Sequence, residues 1–184
     1  MKKSICILIV LAIGIHLVTA QKKYFCKTAK ISFYSKAPLE DIESHNTQVL
    51  TAFDAITGQI EFAVLIKGFE FEKAKMQEHF NEEYIESDKY PKALFLGTLK
   101  DPGQLTLDKD GVYKVQVIGS LTLHGVTKPQ NAEAIFIVKN AIVNATAEFN
   151  VAVADYNIKI PALVADKVSK SVKVVVNVPS YQPR

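Results

Sequence analysis

The chain has 184 residues, of which 48% are hydrophobic and 22% charged, and its formal net charge is +3. That length fits one domain with a sizeable core. The near balance of acids and bases excludes the dense basic face that nucleic-acid binding needs.

The first segment reads as an export leader. Lys2 and Lys3 precede an apolar run from Ile5 to Val18, and Val18-Thr19-Ala20 ends in small residues before Gln21. This is the layout of a secretory signal peptide cut after Ala20, with an apolar run short for a membrane span. The expected division is a signal peptide over 1–20 and a single domain over 21–184, periplasmic or secreted. Losing Lys2 and Lys3 from 22 basic residues leaves 20 against 19 acidic ones, a net charge of +1. Cys6 also departs, so Cys26 has no internal disulfide partner and is expected to face the core of a first strand.

The rest is mostly β in character, with segments rich in Val, Ile, Phe, Tyr and Thr between turn residues. Ile31–Ser35 is the first expected strand, and the polar stretch Pro38–Asn46 reads as a loop. Val49–Phe53 and Gln59–Lys67 form a hairpin around Asp54 and Thr57-Gly58. Ile60, Phe62, Val64 and Ile66 share one face of its second arm. Phe71–Ser87 breaks the pattern. It is rich in Glu, Lys, Met and Gln, and Met76, Phe80 and Tyr84 recur every four residues, which predicts an amphipathic helix. Strands resume at Lys92–Leu99. Leu105–Leu107 leads into Asp108-Lys109-Asp110-Gly111, a hairpin turn whose long second arm is Val112–Leu123. Ala134–Val138, Ile142–Val153 and Val172–Val178 follow, and Pro179 and Pro183 mark an irregular tail.

About eight strands and one helix predict an all-β fold: an eight-stranded antiparallel, lipocalin-like barrel with the helix packed at one side or end. Closure removes the exposed edges that such long strands would present. A barrel of this size just encloses a small ligand, although a solidly packed one would give the same pattern.

Candidates for chemistry are few. His45 lies in the polar stretch beside Glu43 and Asn46 and reads as solvated. His79, with Glu82 and Glu83 three and four residues on, could offer two metal ligands from one helical face, but a site needs a third. The chain contains no G-x-S-x-G, H-E-x-x-H, C-x-x-C or Gly-rich phosphate loop, so no catalytic residue, metal or cofactor is assigned. In "SLTLHGVTKPQ", Val115, Val117, Leu121 and Leu123 share one parity, while Gln116, Ser120, Thr122 and His124 share the other. If the aliphatic set faces inward, His124 points outward at a strand end. It would serve a corner there by bonding a loop carbonyl or carboxylate. Ligand contact and catalysis remain the alternatives.

"LTLHGVTKP", Leu121–Pro129, resembles the signature of the YceI-like family. "HFNEEYIESDKYPKALFLGTL", His79–Leu99, is similar to the same family's helix running through a Tyr-Pro pair into a strand. The resemblance spans residues 24–178. It implies a lipocalin-like barrel, export to the bacterial periplasm or beyond, and non-enzymatic binding of a long isoprenoid chain, as in polyprenyl phosphates or quinones. The structural motif would be His124, Gly125, Thr127 and Pro129. Phe62, Phe69, Met76, Phe80 and Phe95 become candidates for the ligand lining, or else ordinary core. The implied partner is an isoprenoid or other long-chain lipid, with room for peripheral membrane contact, and the protein would be a monomer or weak homodimer. Two alternatives stay open: a filled structural or interaction barrel, and a His-based metal protein or hydrolase. Two stretches depart from the family pattern. "KAPLEDIESHN", Lys36–Asn46, is acidic and polar where a Val-rich continuation is expected, and Glu78-His79 stands in place of an Asp-His pair.

Overall fold

A computed structural model describes residues 23–162 and 166–183, so the expected leader and its cleavage site lie outside the described residues. Ten strands and one short α-helix follow in order: β1 (Lys23–Lys36), β2 (Asp41–Asp54), β3 (Gln59–Leu65), β4 (Phe69–Phe71), α1 (Ala74–His79), β5 (Lys92–Leu99), β6 (Gly111–Leu123), β7 (Val126–Pro129), β8 (Ala132–Lys139), β9 (Ile142–Ala152) and β10 (Ser171–Pro183). Eight of them close into an antiparallel barrel in the order β1-β10-β9-β8-β6-β5-β3-β2, with β2 returning to β1. Two short strands supplement these eight: β4 pairs with the start of β2, and β7 with the end of β6.

The barrel has two unlike ends. At one end lie the turns β2–β3 and β8–β9, the β5–β6 connection and the chain termini of β1 and β10. Here Phe53 packs on Tyr24, Phe136 and Tyr181 at ring separations of 6.3, 5.4 and 6.0 Å. The buried Tyr181 hydroxyl is 3.0 Å from Thr51 Oγ1. Burial pushes its pKa far above the ordinary range, so it stays neutral. This end is the closed base. At the other end lie the β1–β2 turn, the β6–β7 corner, the β9–β10 connection and the crossing that carries β4 and α1.

Four expectations need correction. The stretch Pro38–Asn46 is not a loop throughout, because Asp41–Asn46 belongs to β2. Its inward positions Ser44 and Asn46 are polar yet wholly buried. Ser44 Oγ donates to the Glu70 carbonyl at 2.8 Å and Asn46 Nδ2 to the Leu65 carbonyl at 2.7 Å. Polar side chains here satisfy the backbone of the crossing chain, which defeats a hydropathy reading. Leu105–Leu107 forms no strand and instead packs irregularly against the core. The end of the chain is not an irregular tail. β10 continues to Pro183 through a register shift between Val178 and Tyr181, a bulge that accommodates Pro179. The helix is shorter than Phe71–Ser87. Only Ala74–His79 is α-helical, and Phe80–Tyr84 widens into a π-helix. There the Ile85 N–H donates to the Phe80 carbonyl five residues back, and Asn81 Nδ2 takes the Gln77 carbonyl at 2.8 Å. Glu86, at φ +48°, ends the helical path.

Candidate functional site

The barrel is hollow. A cavity of about 690 Å³ occupies its interior, within the size range of small-molecule pockets. Its walls are the inward positions of the strands, because side chains alternate across a strand with period two. Ile31 and Phe33 come from β1, Phe62 and Val64 from β3, Leu121 and Leu123 from β6, Phe149 from β9, and Val174 and Val176 from β10. Phe136, Val178 and Tyr181 reach it from the closed base.

All five residues named from the sequence, Phe62, Phe69, Met76, Phe80 and Phe95, line this cavity. The strand residues follow from parity. Met76 and Phe80 enter from the helical segment, whose cavity face also carries His79, Glu83 and Tyr84. Burial raises the Tyr84 hydroxyl above its ordinary range, with Glu83 adding to the effect. Phe80 seats the segment on the barrel rim. Its ring lies 5.6 Å from Phe33, 5.7 Å from Phe69 and 5.0 Å from Phe71. Ring pairs at such separations add about 0.5–1.5 kcal/mol each beyond their area burial.

Phe95 owes its position to two glycines. Gly97 of β5 faces Gly119 of β6 across the ladder. A Cβ on Gly97 would sit 2.7 Å from Phe95 Cε1, and one on Gly119 would sit 2.6 Å from Phe95 Cζ. The Phe95 ring therefore lies flat over the glycine pair, along the wall.

The open end is charged. Glu40 of the β1–β2 turn, Lys73, Lys75, His79 and Glu83 of the helical segment, and Lys167 of the β9–β10 connection all line it. Lys73 Nζ pairs with Glu40 Oε1 at 2.7 Å, fastening the start of α1 to the β1–β2 turn. The Lys73 hydrogen bond holds the Glu40 carboxyl below its usual range, and Glu40 in turn raises Lys73. His79 Nδ1 meets Glu83 Oε1 at 2.8 Å. The atypical stretch Lys36–Asn46 thus contributes directly to the mouth, through Glu40 and Ile42.

His124 stands apart from the cavity lining, and its neighbours Leu121 and Leu123 face in. Its side chain is only 9% exposed. The Tyr156 carbonyl can only accept, so Nδ1 donates to it, at 2.9 Å. Nε2 meets Glu86 Oε2 at 2.8 Å, and the Tyr90 ring lies edge-on at 4.5 Å. His124 and Glu86 are both left-handed, at φ +50° and +48°. Each costs about 1–2 kcal/mol of backbone strain, offset here by the bonds the geometry permits. Gly125, at φ +74°, has no room for a side chain, because a Cβ would meet Tyr90 at 2.5 Å. Thr127 Oγ1 bonds Thr122 Oγ1 at 2.8 Å, and Pro129 pairs with Ser120 at the end of β7. The corner thus ties β6 to the helical crossing and to the β9–β10 connection. Among the described residues, no group of three or more His, Cys, Asp or Glu is placed to hold a metal, and no helix is long and apolar enough to cross a membrane.

Sequence reasoning missed Phe33, Phe71 and Phe149 of the wall and the four mouth residues Glu40, Lys73, Lys75 and Lys167. Strand parity from Ile31 would have reached Phe33, and parity from Val151 would have reached Phe149. The mouth residues carry no periodic signal, because three separate connections supply them.

A closed antiparallel barrel around an apolar cavity, with a helical segment across one end, defines the class of small hollow β-barrels. The YceI-like domain model matches residues 27–179, and the chain belongs to that family. Solved structures share the fold at low identity. A polyisoprenoid-binding domain from Saccharophagus degradans, implicated in plant cell wall breakdown, superposes with a TM-score of 0.76 at 14% identity, covering 89% of this chain and 99% of that one. BcnA of Burkholderia cenocepacia gives 0.68 at 15% identity, covering 81% and 94%. A mutant YCEI protein of Campylobacter jejuni gives 0.54 at 14%, covering 74% and 80%. A search of curated proteins gives no match.

Proposed function

We propose that the protein is an exported, non-enzymatic carrier that holds a long isoprenoid chain, of polyprenyl phosphate or quinone type, inside the barrel. The observation that carries this reading is the apolar cavity of about 690 Å³ running from the closed base to a charged mouth. Such a shape suits a chain with one polar end. Each buried CH2-sized group contributes about 0.8 kcal/mol, so a few five-carbon units offset the cost of ordering a flexible chain. The polyisoprenoid-binding neighbour supports the choice of lipid. The basic and apolar stretch from Lys2 to Val18, closing on Val18-Thr19-Ala20, supports export.

Organic-solvent extraction of the purified protein followed by mass spectrometry tests the reading. An isoprenoid lipid recovered in stoichiometric amount is the expected result. Recovery of no lipid, together with no uptake of added polyprenols or quinones, overturns it.

A further inference from the structure

The mouth is not electrically even. Three lysines and two glutamates line it. Glu40 is occupied by Lys73, and Glu83 by His79. Among the described residues, Lys75 and Lys167 form no ion pair with a carboxylate. Lys167 does feel Glu40 at longer range, where it helps hold that carboxyl low. Asp41 and Asp166 flank the same rim but do not line the cavity. The wall behind this rim is apolar, so a ligand threaded into the barrel leaves its polar end between α1 and the β9–β10 connection, where the two lysines stand.

We propose that Lys75 and Lys167 form an anion collar that selects a lipid carrying a phosphate group over a neutral headgroup on the same chain. The inference rests on the lipid-carrier reading and narrows it, favouring the phosphorylated class over the quinone class. Lysine ammonium groups recognise phosphate as mobile point charges, without the fixed geometry of a guanidinium. Two such groups, carried by separate elements of the rim and without an ion-paired carboxylate among the described residues, gain a partner when an anion arrives. A quinone or an alcohol gives them none. A contact of this kind, made at a solvent-facing rim, weakens as salt rises.

The test is calorimetric titration of the delipidated full-length mature protein with geranylgeranyl monophosphate, geranylgeraniol, a fatty acid of similar length and inorganic phosphate. The phosphate ester is expected to bind about tenfold tighter than the alcohol at low salt, with the gap shrinking as salt is raised. In K75Q/K167Q the gap should fall to about twofold, while the alcohol binds as before. K139Q, at the base, should leave both affinities unchanged. Ester and alcohol binding equally well in the wild type overturns the collar and leaves the carrier reading standing. If no chain binds, both readings fall. A fatty acid matching the ester shows a collar for any anion and overturns the phosphate assignment. The wild-type salt series keeps the proposal open to refutation even if the double variant misfolds.

Discussion

The two ends of this barrel are built by opposite means. The base is closed by rings: Phe53 touches Tyr24, Phe136 and Tyr181, and the buried Tyr181 hydroxyl finds Thr51. The mouth is assembled from three connections, held by a lysine–glutamate pair, a histidine corner and one phenylalanine resting on three others. Close-packed apolar contact is strong and insensitive to salt, whereas paired charges at a surface are weak and tunable. Stability should therefore concentrate at the base, and control of ligand entry at the mouth.

The largest expected effect is on the base. Phe53→Ala removes a ring that is 2% exposed and not part of the cavity lining, and should cost about 3–5 kcal/mol in denaturant unfolding. A much smaller loss would mean that the base is loosely packed and that the contrast between the ends is false. His124→Ala comes next. It leaves the Tyr156 carbonyl and Glu86 without their partner, and should cost about 1–3 kcal/mol while uptake of an added isoprenoid lipid is unchanged. A variant of normal stability that loses lipid would move His124 from the corner into the site.

Phe80→Ala should do the reverse. Losing the three ring contacts frees the helical segment from the rim, and lipid dissociation should accelerate about tenfold in a transfer assay, with a smaller stability loss than at the base. An unchanged rate would show that the segment does not gate the cavity. The smallest effect concerns the Glu40–Lys73 pair. A depressed carboxyl contributes above its unfolded value and is lost as pH falls through its folded one. A raised lysine contributes until pH climbs past its own folded value. The clasp therefore holds across neutral pH and opens in acid below the usual carboxylate range. Lipid transfer should speed up there, and Glu40→Gln should remove that acid step. A transfer rate flat through this range would show that the clasp does not restrain the mouth.

Much of the barrel was legible because its strands obey parity. Leu121 and Leu123 facing in, and His124 turning away, follow from alternation alone. The helical face of Met76 and Phe80 was readable even though the segment is partly π, because both helix types keep residues four apart on neighbouring positions. The start of β2 was illegible for a definite reason: Ser44 and Asn46 point inward to bond the crossing backbone, and no hydropathy pattern marks such a duty. Charges at the mouth were hidden in a different way. Glu40, Lys73 and Lys167 lie far apart in sequence and acquire a common role only once the barrel closes.

The facing glycines at 97 and 119 give the cavity an internal ruler. A methyl group at Gly97 meets only side chains, the Phe95 ring at 2.7 Å and Val117 Cγ1 at 3.0 Å, whereas one at Gly119 strikes the Leu96 carbonyl oxygen at 2.6 Å. Alanine at 97 can thus be absorbed by tipping the ring into the lumen, and alanine at 119 cannot be absorbed without moving a strand. The first change would shorten the longest chain that fits. Two hydrogen atoms, standing where side chains would be, set the depth of the lumen.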